Sequence, residues 1–175
     1  MIRENIERLK ERIAEACSRI GKNPQHIKIV VVTKTAAVDM ISEAIECGIS
    51  DIGENRIQDA ILKFAKLESS GLNFSKHFLG HLQTNKVKKA LDLFDLIQSV
   101  DSLRLAAEIN KQAAKIGKIQ NILVQVNTSL EASKFGLKCE ETPAVIKELS
   151  QFKNLKLCGL MTSAPLVEDS ANVRP

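Results

Sequence analysis

Lys34 is the residue with the clearest chemical prospect, because of what precedes it. The segment Lys28-Ile-Val-Val-Val-Thr-Lys34-Thr35 carries four consecutive aliphatics, Ile29 to Val32. Such a run predicts a strand covered on both faces, as in a parallel sheet. A lysine ending that strand would stand at the carboxyl edge of the sheet, where α/β folds keep their chemistry. Side chains alternate along a strand, so Lys34 shares a face with Val30 and Val32. If that face is interior, the amine lies over apolar packing and loss of hydration favours its neutral form. That form is the nucleophile that imine chemistry requires. A solvated lysine in a strand-to-helix loop fits the same residues, and the segment alone leaves both readings open.

Three further positions share this placement. Asn55 follows the second expected strand and reads as a turn former or helix cap. His81 lies just past the third, in phase with His77 and Leu79, and either satisfies a backbone group or faces a ligand. Met161 ends the sixth, where packing or a ring contact would suit its thioether. Lys134, on a loop with Ser133, Phe135 and Gly136, reads as a solvated side chain.

Strands and helices must alternate to place these residues. Ile2, Ile6, Leu9, Ile13, Cys17 and Ile20 recur at steps of three and four, which predicts a helix ended by Gly21 and Pro24. Expected strands are 28–33, 49–52, 74–79, 94–100, 121–127 and 155–161. Helices are expected between them at 38–47, 56–67, 84–93, 103–116 and 142–151. Gly48 and Gly117 would close two helices, Asp101 would cap a third, and Thr142-Pro143 would open the last. This alternation argues for a parallel α/β fold; period alone does not separate a barrel from an open sheet. In the fifth strand Ile122, Val124 and Val126 share one face, and Leu123, Gln125 and Asn127 the other. That second face turns polar towards its carboxyl end, as expected where strand tops line a ligand-binding mouth.

Composition narrows the field. The chain has 175 residues, 44% hydrophobic and 26% charged, with a net charge of +4. These are values of an ordinary globular domain, and no apolar stretch is long enough to span a bilayer. The first residues lack a secretory pattern, so a cytoplasmic location is expected. Lys86, Lys88 and Lys89 form the densest basic spot. With no Trp or Tyr and six Phe, base-stacking platforms are scarce and nucleic acid is not an expected partner. Cys17, Cys47, Cys139 and Cys158 include no Cys-x-x-Cys pair and are expected to be buried free thiols. Their spacing with His26, His77 and His81 gives no support to a metal site. No Gly-x-Gly dinucleotide fingerprint, Gly-x-Ser-x-Gly elbow or His-Glu-x-x-His motif occurs. Gly48 and Gly53 have phosphate-loop spacing, but Glu54-Asn55 replace the required Lys-Ser/Thr.

Read together, the lysine segment, Gly53-Glu-Asn55-Arg-Ile-Gln58, His77-Phe-Leu-Gly-His81-Leu-Gln-Thr-Asn-Lys86, Asn127-Thr-Ser-Leu-Glu131-Ala-Ser-Lys134-Phe-Gly136-Leu137 and Gly159-Leu-Met161 closely resemble the pyridoxal phosphate homeostasis proteins. These are single-domain relatives of the barrel domain of alanine racemase. The resemblance covers nearly the whole chain. It implies a (β/α)8 TIM-barrel-type fold with pyridoxal 5′-phosphate held as a Schiff base on Lys34, and cofactor contacts from Asn55, His81 and Met161. Many members have a proline three residues after the lysine, where this chain has Ala37.

A complete barrel takes about 250 residues, or near 200 when compact. About six of eight strands are therefore expected in residues 1–175, read as a single domain. The family's Gly- and Ser-rich phosphate-binding segments have no counterpart, so a truncated C-terminus is expected. Function follows as storage, buffering or delivery of the cofactor within the cell, without catalysis, with cofactor-dependent enzymes as clients. The alternative is a fold-type III enzyme, such as an amino-acid racemase. It is disfavoured because alanine racemase uses a tyrosine from a second domain, and this chain has neither. A third reading is a barrel remnant that no longer binds anything.

Overall fold

The amphipathic start becomes α1 (Ile2–Arg19), which buries Ile6 and Cys17. Gly21, at φ +63°, ends it, donating its N–H to Ser18 O while Lys22 N donates to Cys17 O. The left-handed conformation that frees those carbonyls for capping is one a glycine adopts without a Cβ penalty. The computed structural model describes residues 1–129, 131, 134–165, 167, 169 and 171. After α1 come β1 (Val30–Val32), α2 (Val38–Glu46), β2 (Asp51–Glu54), α3 (Ile57–Ser69) and β3 (Ser75–Phe78). Then follow α4 (Val87–Leu93), β4 (Leu96–Val100), α5 (Leu103–Lys115), β5 (Gln120–Gln125), α6 (Thr142–Leu149) and β6 (Leu155–Met161).

The strands are hydrogen-bonded in chain order, β1-β2-β3-β4-β5-β6, and the pairs β1–β2, β4–β5 and β5–β6 are parallel. A doubly wound open sheet reverses its order at a switch point, whereas barrel strands follow the chain. The order therefore decides for the barrel pattern, with six strands.

Met1–His77 and the described residues from Phe78 onward are two compact units. In the first, Ile41, Ile52, Ala60, Phe64 and Leu67 are buried, and the Phe64 ring meets Phe74 edge-on at 5.3 Å. In the second, Phe78 and Phe94 lie 5.0 Å apart, with Ile97, Ile109 and Ile122 fully enclosed. β5 keeps the expected alternation: Ile122, Val124 and Val126 are buried, and Leu123, Gln125 and Asn127 half-buried. β6 carries a bulge at Cys158, since Ile122 pairs Leu157 and Leu123 pairs Gly159.

Several expectations are corrected. β1 has three residues and is not covered on both faces: Val30 and Val31 are half-buried, and Val32 is 44% exposed. It stands at one end of the strand order, with β2 as its strand neighbour among the described residues. The α5 cap is Ser102, whose hydroxyl accepts from Leu105 N; Asp101 is engaged elsewhere. Thr142 is the first residue of α6, not its cap, and donates its hydroxyl to Lys138 O. The helix expected at 84–93 begins as a 3-10 turn, Thr84–Lys86. Of the four free thiols, Cys17 is buried and Cys47 half-buried, while Cys139 and Cys158 are exposed.

Two polar clusters lock the amino-terminal ends of strands. Lys118 donates Nζ to Leu91 O and Phe94 O, the open carbonyls ending α4. Burial holds its amine below the usual lysine range, against the opposing pull of Asp95 and Asp92. Asp51 opens β2 with its carboxylate enclosed, receiving Lys28 Nζ at 2.8 Å and Ser50 Oγ, with His77 Nε2 at 2.9 Å. Burial pushes this carboxyl up, but hydrogen bonds from Lys28, Ser50 and His77 outweigh it and leave its pKa lowered. A depressed folded-state pKa contributes stability that is present above the unfolded value and lost as pH falls through the folded one. Asp51→Asn should therefore destabilise the protein most above about pH 5, with the difference shrinking below about pH 4. Denaturant unfolding across that range checks it; a pH-independent difference would contradict the assignment.

Candidate functional site

Lys34 sits in the turn that follows β1, and its side chain is exposed. The expected bed of apolar packing is absent, because the face shared by Val30 and Val32 is open. What the turn has instead is a firm backbone. Thr33 N donates to Gly53 O at 2.9 Å, and Ala36 N to Thr33 O at 3.0 Å. The β1–β2 register pairs Val32 with Gly53. Two residues further on, Lys34 and Asn55 stand at the carboxyl ends of the two strands.

Asn55 is half-buried, and its Oδ1 is a buried acceptor with no hydrogen-bond partner among the described residues. A buried amide oxygen left open is an uncommon feature that asks for a donor. An amine with an open acceptor across the register fits a ligand bearing both an electrophilic carbonyl and a hydrogen-bond donor. Pyridoxal 5′-phosphate is such a ligand, so these residues fit it.

Beneath this pair lies a polar cluster that the strand patterns do not announce. Thr33 Oγ1 donates to Glu54 Oε1 at 2.7 Å. Lys63 Nζ, from α3, donates to the same oxygen at 2.7 Å and to Thr33 O. Glu54 is fully buried, and its Oε2 has no partner among the described residues. The signal available in the sequence was Lys63 itself. It completes an i, i+3, i+4, i+7 stripe with Ala60, Phe64 and Leu67, where a lysine is out of place unless paired.

In the second unit, His81 follows β3, with Nδ1 3.0 Å from Asp101 Oδ2. Its ring stacks on Phe135 at 3.8 Å between centroids and 13° between planes. Of the two sequence readings, the backbone one is replaced by a carboxylate partner, which orients the ring and directs Nε2 away from Asp101. Phe135 is held by Gln125 Nε2, which donates to its carbonyl at 3.0 Å. Asn127 Nδ2 donates to Glu131 O and Lys134 O, tying down the loop after β5. Lys134 pairs with Glu131 at 3.0 Å; Ser133 lies outside the described residues. Met161 is half-buried at the end of β6, where its carbonyl accepts from Val126 N. It lines an apolar groove of about 630 Å³ with Val126, Ile146 and Leu160. Each of the four sequence candidates thus sits at the carboxyl end of its own strand, Lys34 with Asn55 in the first unit, His81 and Met161 in the second.

Comparison with known proteins places this geometry. Residues 2–174 match the family model of the alanine racemase N-terminal domain. The pyridoxal phosphate homeostasis protein of Aquifex aeolicus is 37% identical over 172 residues, 98% of this chain and 75% of that protein. The chain belongs to the pyridoxal phosphate homeostasis family. Members carry a name for cofactor homeostasis and not for a reaction. Among solved structures, an unknown protein from Bifidobacterium adolescentis has a TM-score of 0.89 at 30% identity, covering 98% of this chain and 73% of its own. PipY of Synechococcus elongatus, with pyridoxal phosphate bound, has a TM-score of 0.77 at 34% identity, covering 91% and 74%. No helix among the described residues is long and apolar enough to cross a membrane. Nor does any group of three or more His, Cys, Asp or Glu among them come together as metal ligands.

The loop carrying Phe135 depends on Gly136. Its φ is +131°, and a Cβ there would lie 2.6 Å from Asn127 N and 2.9 Å from Val126 C. Backbone atoms cannot yield as a side-chain tip can. Gly136→Ala should displace the loop from Asn127 and destabilise it by about 1–3 kcal/mol. Limited proteolysis between residues 128 and 138 is the check, with wild-type resistance in the variant the contrary result.

Proposed function

We propose that this chain binds pyridoxal 5′-phosphate through the amine of Lys34 and stores or delivers it without substrate turnover. The observation that carries the proposal is the open, buried Oδ1 of Asn55 at the end of β2, with Lys34 and Asn55 each two residues past the paired Val32 and Gly53. The bound cofactor supplies an aldehyde, a pyridine ring and a phosphate dianion. Lys34 offers the amine that attaches to the aldehyde. Asn55 offers its free oxygen as an acceptor. His81, oriented by Asp101, and Met161 are included as further contacts on the strength of the family resemblance. We read residues 1–175 as one cofactor-binding barrel unit that works in the cytoplasm and serves cofactor-dependent enzymes as clients.

A reading as a fold-type III enzyme is favoured by one feature, the His81–Asp101 pair, which could carry a proton. Against it stands the absence of any tyrosine in the sequence to act as the second acid or base that racemisation on this cofactor requires.

Lys34→Ala should abolish the borohydride-reducible adduct, while labelling spread evenly over surface lysines in both proteins would sink the assignment. Asn55→Ala removes one buried hydrogen bond and should weaken cofactor affinity by about tenfold, or 1–1.5 kcal/mol; unchanged affinity in a titration counts against its role. Loss of the α-proton of L-alanine into deuterated solvent should not exceed that with free cofactor. Exchange above that level, abolished by His81→Ala, would establish the enzyme reading.

A further inference from the structure

The carbonyl that Lys63 holds is that of Thr33, the peptide leading directly into Lys34. β1 ends at Val32, so no further strand residue fixes the turn from within. Three contacts do so from outside. Thr33 N donates to Gly53 O, Thr33 Oγ1 to Glu54 Oε1, and Lys63 Nζ to Thr33 O. They tie the turn to the end of β2 and to α3, and Glu54 Oε1 joins the two sides by accepting from both Thr33 Oγ1 and Lys63 Nζ.

We propose that the Glu54–Lys63 ion pair is a positioning device for Lys34, fixing the backbone from which its amine reaches the cofactor. This rests on the reading of Lys34 as the attachment residue. The charge balance suits that task. A lone ammonium on the Thr33 carbonyl would leave an unmatched positive charge at the turn that carries Lys34; Glu54 matches it one for one. Lys63 is 16% exposed and Glu54 is fully buried at the side chain, so the pair is screened little by solvent. A lysine kept only for packing would have no reason to take the one carbonyl adjoining the reactive residue.

Attachment forms a bond between the lysine nitrogen and the aldehyde carbon and releases the aldehyde oxygen as water. Borohydride then delivers hydride to that carbon, leaving a stable secondary amine. The test incubates the intact chain with pyridoxal 5′-phosphate, reduces it, and measures by peptide mass the share of adduct on Lys34, against exposed Lys22 and Lys115. Lys63→Met, shown by circular dichroism and cooperative unfolding to be folded, should lose Lys34 adduct about tenfold, since small misplacement of a reacting group carries such penalties. Labelling at Lys22 and Lys115 should stay unchanged. Lys63→Arg, which keeps the charge and both donors, should restore most of the adduct. Wild-type adduct in folded Lys63→Met overturns the proposal. If Lys63→Met does not fold, Glu54→Gln decides, because it removes the charge of the ion pair while keeping the side chain's size and an amide oxygen for Thr33 and Lys63. A lowered Lys34 share supports the proposal and an unchanged share overturns it. A wild-type chain with no Lys34 adduct overturns the function reading and this inference together; adduct that persists in every variant overturns this inference alone.

Discussion

A carboxylate with no exposed surface must be compensated, and at the end of β2 that requirement falls on Glu54. Desolvating an unpaired charge is far costlier than any single contact in the neighbourhood can offset. Lys63 and the Thr33 hydroxyl answer it together. Removing one partner of such a buried pair costs about 3–5 kcal/mol, a large part of the 5–15 kcal/mol that holds a typical domain folded. The end of β1, the end of β2 and the flank of α3 are therefore bound to one geometry. Lys34 inherits that geometry through its backbone, although its side chain is free in solvent.

Lys34 stands exposed in the turn after β1, while Thr33 before it is buried and held by its hydrogen bonds. In the second unit the same division recurs. Asp101 sets the direction of the His81 imidazole, and Gln125 and Asn127 hold the loop that brings Phe135 against it. In both places a buried or half-buried polar residue on a strand end orients an exposed one.

Much of this could be read from the sequence, for definite reasons. Helix stops at Gly21, Gly48 and Gly117 were readable because each adopts positive φ, which glycine tolerates best. β6 was placed to the residue by its apolar run, Leu155–Met161. Other details depend on partners distant in sequence, which local patterns do not contain. The aliphatic run Ile29–Val32 by itself suggests a strand covered on both faces, whereas a count of six strands already implies an open edge at the first, where Val32 is exposed. Asp101 and Ser102 are both good caps, and only the position of His81 shows why the serine takes the role. Thr33, Glu54 and Lys63 are polar residues in segments patterned by apolar ones, and nothing local in the sequence marks their mutual contact. The strand order, by contrast, settled a question that periodicity left open between barrel and open sheet.

The central claim is that the paired ends of β1 and β2 are where the cofactor attaches. Amide hydrogen exchange on the intact chain, with and without saturating pyridoxal 5′-phosphate, tests it most directly. Slowed exchange concentrated in residues 33–37 and 55–58 is the predicted result. Unchanged exchange there, with protection confined to other segments, would contradict it.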